Sequence, residues 1–284
     1  MKHHRSSCRH TFFPASVIFV IAILLLILPF IRSQEVEDER EFDYKERSEK
    51  GPQQWGKLKK EWATCNNGGM QSPIDLASHR VKLIPKLGEL NKTYSSSNST
   101  IFNRGHDIAV KWADYAGSIH INGTEFFLQQ CHWHSPSEHS INGRRYDMEL
   151  HMVHVSQDGK NKIAVVGLLY KIGQSDPFLS KLEKYIMSMV DEKQERKIGV
   201  LDPSEIKLGG KKYYRYIGSL TVPPCTEGVV WTINRKIMTV SRKQVKLLRE
   251  AVHDYAEKNA RPVQPLNRRE IYLSEPNARN TPRN

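Results

Sequence analysis

Two strand-like runs carrying three histidines constrain this chain more than any other feature of its sequence. Side chains on a β-strand alternate faces with period two. In "EFFLQQCHWH" (125–134), Phe126, Leu128, Gln130, His132 and His134 are therefore expected on one face. Phe127, Gln129, Cys131 and Trp133 are expected on the other. In "MELHMVHVS" (148–156), Glu149, His151 and Val153 share a face, and His154 points away from it as a packed, structural residue. The turn signal "INGRR" (141–145) lies between the runs, so an antiparallel pairing would bring His151 opposite His132 and His134. Three imidazoles with no fourth protein ligand are the donor set of a catalytic zinc site, which keeps one position open. An H-x-H pair can arise by chance among twelve histidines. A third histidine beside a strand glutamate makes chance a weaker explanation. Gln130 and Glu149 are placed to accept from ligand imidazoles and fix their tautomers. Cys131 falls between two ligands, but its parity points it away from the metal. It is read as a small buried hydrophobe rather than a fourth ligand that would close the site. His3, His4, His10, His79 and His253 have no comparable setting.

The same alternation recurs in "HDIAVKW", "SIHING" and "KIAVVGLLYKI", with Asn122-Gly123, Asn142-Gly143 and Asp158-Gly159 as turns. A mostly antiparallel sheet is expected. Two helices interrupt it. One starts at Asp176 as N-cap with Pro177 in the first position. The other carries a capping box from Ser241 to Gln244 and an apolar stripe of Val245, Leu248, Val252 and Tyr255.

The ends of the chain differ from its middle. Residues 17–31, "VIFVIAILLLILPFI", are apolar and follow a basic stretch, so 1–33 is expected to be a secretory signal peptide. The following residues lack a small-x-small cleavage site, which leaves an uncleaved anchor open. Residues 34–273 are expected to form a single domain, with 34–50 as a charged extended arm and 274–284 as a loose tail. The chain has 284 residues and a formal charge of +12, without an aromatic-interleaved basic stripe, so nucleic acid is not an expected partner. Sequons at Asn91, Asn98 and Asn122 fit a secretory route, the first two in the polar "NKTYSSSNST" loop.

The run "HWHSPSEHSINGRRYDMELHMVH" resembles the zinc strands of the alpha-carbonic anhydrases, the plant branch in particular. "GPQQWGKL", "QSPIDL", "NRGHDI", "GSLTVPPC" and "NARPVQPLN" resemble further blocks of that family, in family order between about residues 51 and 267. The resemblance implies a mainly β (α+β) single domain on a large twisted, mostly antiparallel central sheet with a few peripheral helices. It implies one Zn2+ and reversible hydration of carbon dioxide to bicarbonate and a proton, by attack of zinc-bound hydroxide. It implies Thr221 as gatekeeper donating to Glu138, and His106 as proton shuttle, since an imidazole titrates near neutral pH. Tyr44 and Asn103 would hold the water chain. Arg104, where asparagine is usual, would place a positive charge beside the shuttle. Val153, Val165, Leu220 and Trp231 would line an apolar slot for carbon dioxide. Val222 would stand beside the gatekeeper in place of a polar residue. Gln130 would brace His132, Glu149 would brace His151, and the Asn259 carbonyl would hold His134. His139 and Tyr216 would support Glu149. Cys65 and Cys225 would form a disulfide.

The expected partner is carbon dioxide or bicarbonate, with no stable membrane span after signal cleavage. The chain is expected as a monomer or weak dimer, extracellular or apoplastic, with the chloroplast stroma by way of the secretory route as the alternative. Two other readings compete. One is a binding or storage protein on the same fold, which loss of a ligand histidine would signal. The other is a general zinc hydrolase, for which no H-E-x-x-H helix is present.

Overall fold

Fifteen short strands follow from the alternation, in a computed structural model that describes residues 41–84, 87, 90–190, 195–208, 211–252 and 258–275. The strands are β1 (Val81–Ile84), β2 (Asn91–Lys92), β3 (Ser97–Asn103), β4 (Ile108–Trp112), β5 (Ser118–Ile121), β6 (Thr124–His134), β7 (Ser140–Ile141) and β8 (Arg144–Arg145). They continue with β9 (Met148–Ser156), β10 (Ile163–Ile172), β11 (Glu195–Leu201), β12 (Tyr213–Ser219), β13 (Glu227–Asn234), β14 (Met238–Val240) and β15 (Ile271–Ser274). Thirteen of them form one sheet, with the central path β1-β15-β12-β13-β10-β9-β6-β4-β3-β11. The pairs β1–β15, β10–β13 and β10–β14 are parallel, so the sheet is mixed, though antiparallel pairing predominates.

The turn chemistry is as expected. Asn122 and Gly123 close β5 onto β6, and Asn142 and Gly143 close β7 onto β8. All four residues have positive φ, as two-residue turns matched to strand twist require. The "INGRR" turn does not join the histidine strands directly. It tips the small β7–β8 hairpin, a separate two-stranded sheet inserted between β6 and β9.

One expectation about facing is overturned. The β6–β9 register shifts between Leu128 and Gln130, where Leu128 pairs with His154 and Gln130 with Val153. A bulge at this point inserts one residue and inverts the parity of everything before it. Phe126 and Leu128 therefore join Cys131 and Trp133 in the larger apolar cluster, while Gln130, His132 and His134 keep the opposite face. The sheet is covered on both sides. The larger cluster packs under α3 (Pro177–Met187) and α4 (Arg242–Ala251), and a second holds Val153, Val165, Leu220 and Trp231. Strand β9 is consequently buried almost throughout, its polar Glu149, His151 and His154 included.

Both helix starts behave as their residues dictate. The Asp176 side chain accepts from the Leu179 N–H at 2.8 Å with Pro177 in the first turn. Ser241 and Gln244 form the reciprocal capping box. Val245, Leu248 and Val252 are buried, and Tyr255 lies outside the described residues. Two short helices, α1 (Trp55–Leu58) and α2 (Thr64–Asn67), precede the sheet.

The ends of the domain are tighter than their charge suggests. Within the expected arm, Phe42 is fully buried against Trp55 and Trp62. The Trp55 indole donates to the Asp43 and Lys50 carbonyls, both at 3.1 Å. A single aromatic residue with a rigid partner outweighs the surrounding charges. At the other end, Ser274 completes β15 and Glu275 pairs with Lys212. Asn98 lies in β3 rather than a loop, yet its side chain is exposed, as are those of Asn91 and Asn122. His79 is exposed, and His3, His4, His10, His253 and the apolar run 17–31 lie outside the described residues.

His154 faces away from the other histidines, as expected. It is fully buried, with Nε2 2.9 Å from the Tyr94 hydroxyl, and burial pushes its pKa down to about 4. The folded state therefore resists protonation of this ring. Its contribution to stability is complete above the unfolded value of 6.5 and is lost as pH falls toward about 4. Between pH 7 and pH 5 the loss is about 2 kcal/mol. Urea titrations of the parent and His154→Gln should show the stability gap between them shrinking by about that amount over this interval. A gap independent of pH would show that His154 is not held neutral by the fold.

Candidate metal centre

Strands β6 and β9 pair so that His132 stands opposite His151 and His134 opposite Glu149. The three imidazoles converge, with ring centroids 4.6 to 5.1 Å apart and one ligand atom from each lying within 4.8 Å of the others. All three are buried.

Each ring has one nitrogen committed elsewhere, which decides the nitrogen left for a metal. His132 Nδ1 is 2.9 Å from Gln130 Oε1, His134 Nδ1 is 2.7 Å from the Asn259 carbonyl, and His151 Nε2 is 2.9 Å from Glu149 Oε1. Since carbonyls and carboxylates accept, each committed nitrogen carries the proton, and the opposite nitrogen has a lone pair. Nε2 of His132, Nε2 of His134 and Nδ1 of His151 thus face one another. His134 Nε2 is buried without a hydrogen-bond partner, and 3.7 Å away lies Glu138 Oε2, which also lacks one. A cation among the three rings would resolve this arrangement, and the donor set suits zinc.

The electrostatics fit. Burial, then the charge of Arg104 and the neighbouring His134 and His151, hold His132 well below the usual imidazole range, so it is neutral as a ligand must be. For His134, burial opposes the charge. Glu138, Asp107, the Asn259 carbonyl and Glu149 together pull it upward, so a proton competes with a metal for Nε2 as pH falls. Glu149 is ionised despite complete burial, because His139 and His151 hold it well below the usual carboxylate range.

Glu149 anchors the surrounding loop as well. Its Oε2 accepts from the backbone N–H groups of Glu138 and His139, both at 2.8 Å, and its Oε1 lies 2.7 Å from His139 Nδ1. The chain continues from His139 Nε2 to the Tyr216 hydroxyl at 2.7 Å and from there to Ser72 Oγ at 2.8 Å. Opposite His151, β10 carries Gly167. A Cβ there would fall 2.5 Å from Ile233 Cδ1 and 3.1 Å from Glu149 Oε1, so glycine makes room for the carboxylate.

Trp231 lies 4.8 Å from the rings of both His139 and His151, and its indole donates to the Ser219 carbonyl at 2.9 Å. Val153, Val165 and Leu220 belong to the same apolar cluster. Val222 does not. It packs with Phe42, Trp55, Trp62 and the disulfide-bonded Cys65 and Cys225. That disulfide spans 160 residues, for which loop-closure entropy gives at most about 5 kcal/mol. Cys131 is buried and unbonded on the far face, and burial pushes its thiol up, so it is no thiolate ligand.

Around the expected proton path three differences emerge. Tyr44 does meet His106, with ring centroids 5.5 Å apart. Asn103 turns away, its amide donating to the Met189 and Ala251 carbonyls beneath the helices. Arg104 is buried in an ion pair with Asp107, so a carboxylate offsets the charge expected to bear on His106. His106 is itself buried, and its Nε2 donates to the Phe42 carbonyl. The gate also differs from expectation. Thr221 and Glu138 are both buried, but no hydrogen bond joins them. Glu138 Oε1 instead accepts from the Arg261 N–H at 2.9 Å, and Oε2 is turned toward His134.

Sequence reasoning missed Arg261, although it stands inside "NARPVQPLN". Its guanidinium donates to Gln71, to the Ser72 carbonyl and to the Cys65 carbonyl, at 2.8 to 2.9 Å, above the Trp55 ring. Burial pushes it down to about 10, and Glu138 opposes the shift. Asp107 and Gly167 were also missed. Single positions of these types give no signal apart from the partners they meet.

The family model described as eukaryotic-type carbonic anhydrase matches residues 50–275. The chain belongs to this family. Alpha carbonic anhydrase 7 of Arabidopsis thaliana is 58% identical over 244 residues, covering 85% of this chain and 88% of the relative. A carbonic anhydrase of Nesocodon mauritianus is 56% identical over 258 residues, covering 89% and 92%. Among solved structures, dioscorin complexed with ascorbate superposes with a TM-score of 0.80 at 46% identity, covering 82% of this chain and 98% of that one. Zinc-dependent hydration of carbon dioxide is the reaction of the carbonic anhydrases, and this chain is an enzyme of that kind.

Gln130→Ala and Glu149→Gln each remove an acceptor that orients one of the three converging rings. Zinc affinity measured by chelator competition should fall about 10- to 100-fold in each. Parent-like affinity in both would show that these side chains do not hold the ligands.

Proposed function

We propose that His132, His134 and His151 hold the zinc ion through Nε2, Nε2 and Nδ1, and that the residues around them carry the hydration of carbon dioxide. The observation that carries this assignment is that each ring's other nitrogen is committed to its own acceptor, leaving three lone pairs turned inward. A zinc ion held by three neutral ligands supplies a Lewis acid that makes water nucleophilic near neutral pH.

Carbon dioxide is small and carries no net charge, so it requires an apolar wall. Val153, Val165, Leu220 and Trp231 provide one beside His151. Val222 packs against the disulfide and is not part of this wall. Thr221 orients the nucleophile by donor–acceptor counting. Glu138 Oε2 has an unfilled acceptor position. Once the Thr221 hydroxyl donates to it, the hydroxyl oxygen can only accept, and it takes the hydrogen of the attacking oxygen. Arg261 fixes the other carboxylate oxygen, so Glu138 is held from behind.

His106 is the proton exit. With Nε2–H donating to Phe42, the basic atom of the neutral ring is Nδ1, and Tyr44 packs against its edge. The secretory assignment of residues 1–33, with an extracellular or apoplastic destination, is supported by the disulfide and by three sequons with exposed asparagines. Among the described residues no helix is long and apolar enough to cross a membrane.

Stopped-flow carbon dioxide hydration tests the assignment. Chelation should abolish activity and zinc should restore it, whereas His132→Asn should stay inactive with zinc. His106→Ala should lower turnover in dilute buffer on the order of 10²-fold, with recovery in imidazole buffer. Full turnover in the His132→Asn protein would refute the ligand set. Unchanged turnover in His106→Ala would remove His106 from the proton path.

A further inference from the structure

Strand β13 has two faces. Trp231 points to the metal centre, and the next residue, Thr232, points to the other side of the sheet. There it stands level with Val166 on β10 and Arg215 on β12. On that side lies a cavity of about 160 Å³, bordered by Lys92, Val166, Leu208, Lys211, Thr232 and Asn234. The metal centre uses none of these residues.

The polar groups of this cavity are donors. Arg215 is buried, 7% exposed, and its Nε donates to Thr232 Oγ1 at 2.9 Å. That bond occupies the threonine as an acceptor and leaves its hydroxyl proton to donate elsewhere. No described residue accepts it. Asn234 uses its Oδ1 to accept from the Lys236 N–H at 2.9 Å, and its amide nitrogen has no partner among the described residues. Lys92 forms no ion pair with a described residue, and partial burial together with the charge of Lys207 pushes its pKa down. The Arg215 guanidinium lies over the Tyr213 ring at 5.0 Å and meets no carboxylate among the described residues. The Thr232 hydroxyl, the Asn234 amide and the Lys92 ammonium therefore border a space several waters in volume, with the Arg215 guanidinium behind Thr232. No carboxylate of the described residues borders it.

We propose that this cavity is a second anion site, separate from the zinc site and back to back with it across β13, which takes a small multivalent oxyanion of the phosphate or sulfate kind. The Thr232 hydroxyl and the Asn234 amide donate to the ligand oxygens. Lys92 supplies charge at the rim, and Arg215 supplies it from behind Thr232. A neutral or cationic ligand would leave the charges of Lys92 and Arg215 uncompensated, and an apolar one would leave the donors unsatisfied.

The test is calorimetric titration of inorganic phosphate into the zinc-loaded full chain, with sulfanilamide saturating the zinc site. One phosphate per chain should bind, with affinity falling as salt rises. Thr232→Val and Asn234→Leu should each weaken it about tenfold or more, because each removes a hydrogen bond to a charged ligand. Lys92→Gln alters only an exposed side chain and should also weaken binding. Lys243→Gln, on an exposed face of α4, should leave it unchanged. Absence of saturable phosphate binding with the zinc site blocked would overturn the proposal. So would parent-like affinity in the Lys92→Gln and Asn234→Leu proteins.

Discussion

The buried carboxylate of Glu149 is the constraint on which the rest of this structure depends. Removing a charge from water costs several kcal/mol unless the protein replaces its hydration. Here two backbone N–H groups and two imidazoles do so. Each of them belongs to the metal centre or to the loop beside it. The carboxylate fixes the tautomer of His151, holds the 138–139 turn against β9 and, through His139 and Tyr216, ties the turn to Ser72. The β6–β9 register then brings His132 and His134 to the same point. The same groups that make a buried charge tolerable thus also aim the ligands.

A second layer secures the loops. Arg261 reaches the backbone next to both the disulfide and the Ser72 turn, while its own N–H holds Glu138. The disulfide, Val222 and the aromatic residues Phe42, Trp55 and Trp62 form one small cluster. The N-terminal segment, through Phe42, reaches His106. Stability of this edge and the setting of the His106 ring are therefore one problem, with the same side chains serving both.

Much of this was legible in the sequence because it depends on local rules. The period-two alternation placed His132, His134 and His151 on facing strands. Asn-Gly pairs marked the turns, and Asp176 and Ser241 marked the helix starts. The bracing roles of Gln130, Glu149 and Asn259 came through with the family motifs. What was not legible depends on long-range packing. The bulge before Gln130 reversed the facing of Phe126 and Leu128, and a pattern of alternating residues cannot show an inserted one. Phe42 anchors a segment whose average charge resembles a free arm. Asn103 turned to the helix carbonyls, and Arg104 found Asp107 three residues on. Val222, expected beside the gatekeeper, packs in the disulfide cluster. In each case the partner that decides the outcome is a specific atom, and composition or spacing does not reveal it.

Three neutral imidazoles and one open position, with Cys131 turned away, define the proposed zinc site. X-ray absorption at the zinc edge of the loaded protein measures this directly. The expected result is nitrogen or oxygen neighbours at about 2.0–2.1 Å, of imidazole character for three of four, and no sulfur near 2.3 Å. A sulfur scatterer at that distance, or four imidazole ligands, would contradict it.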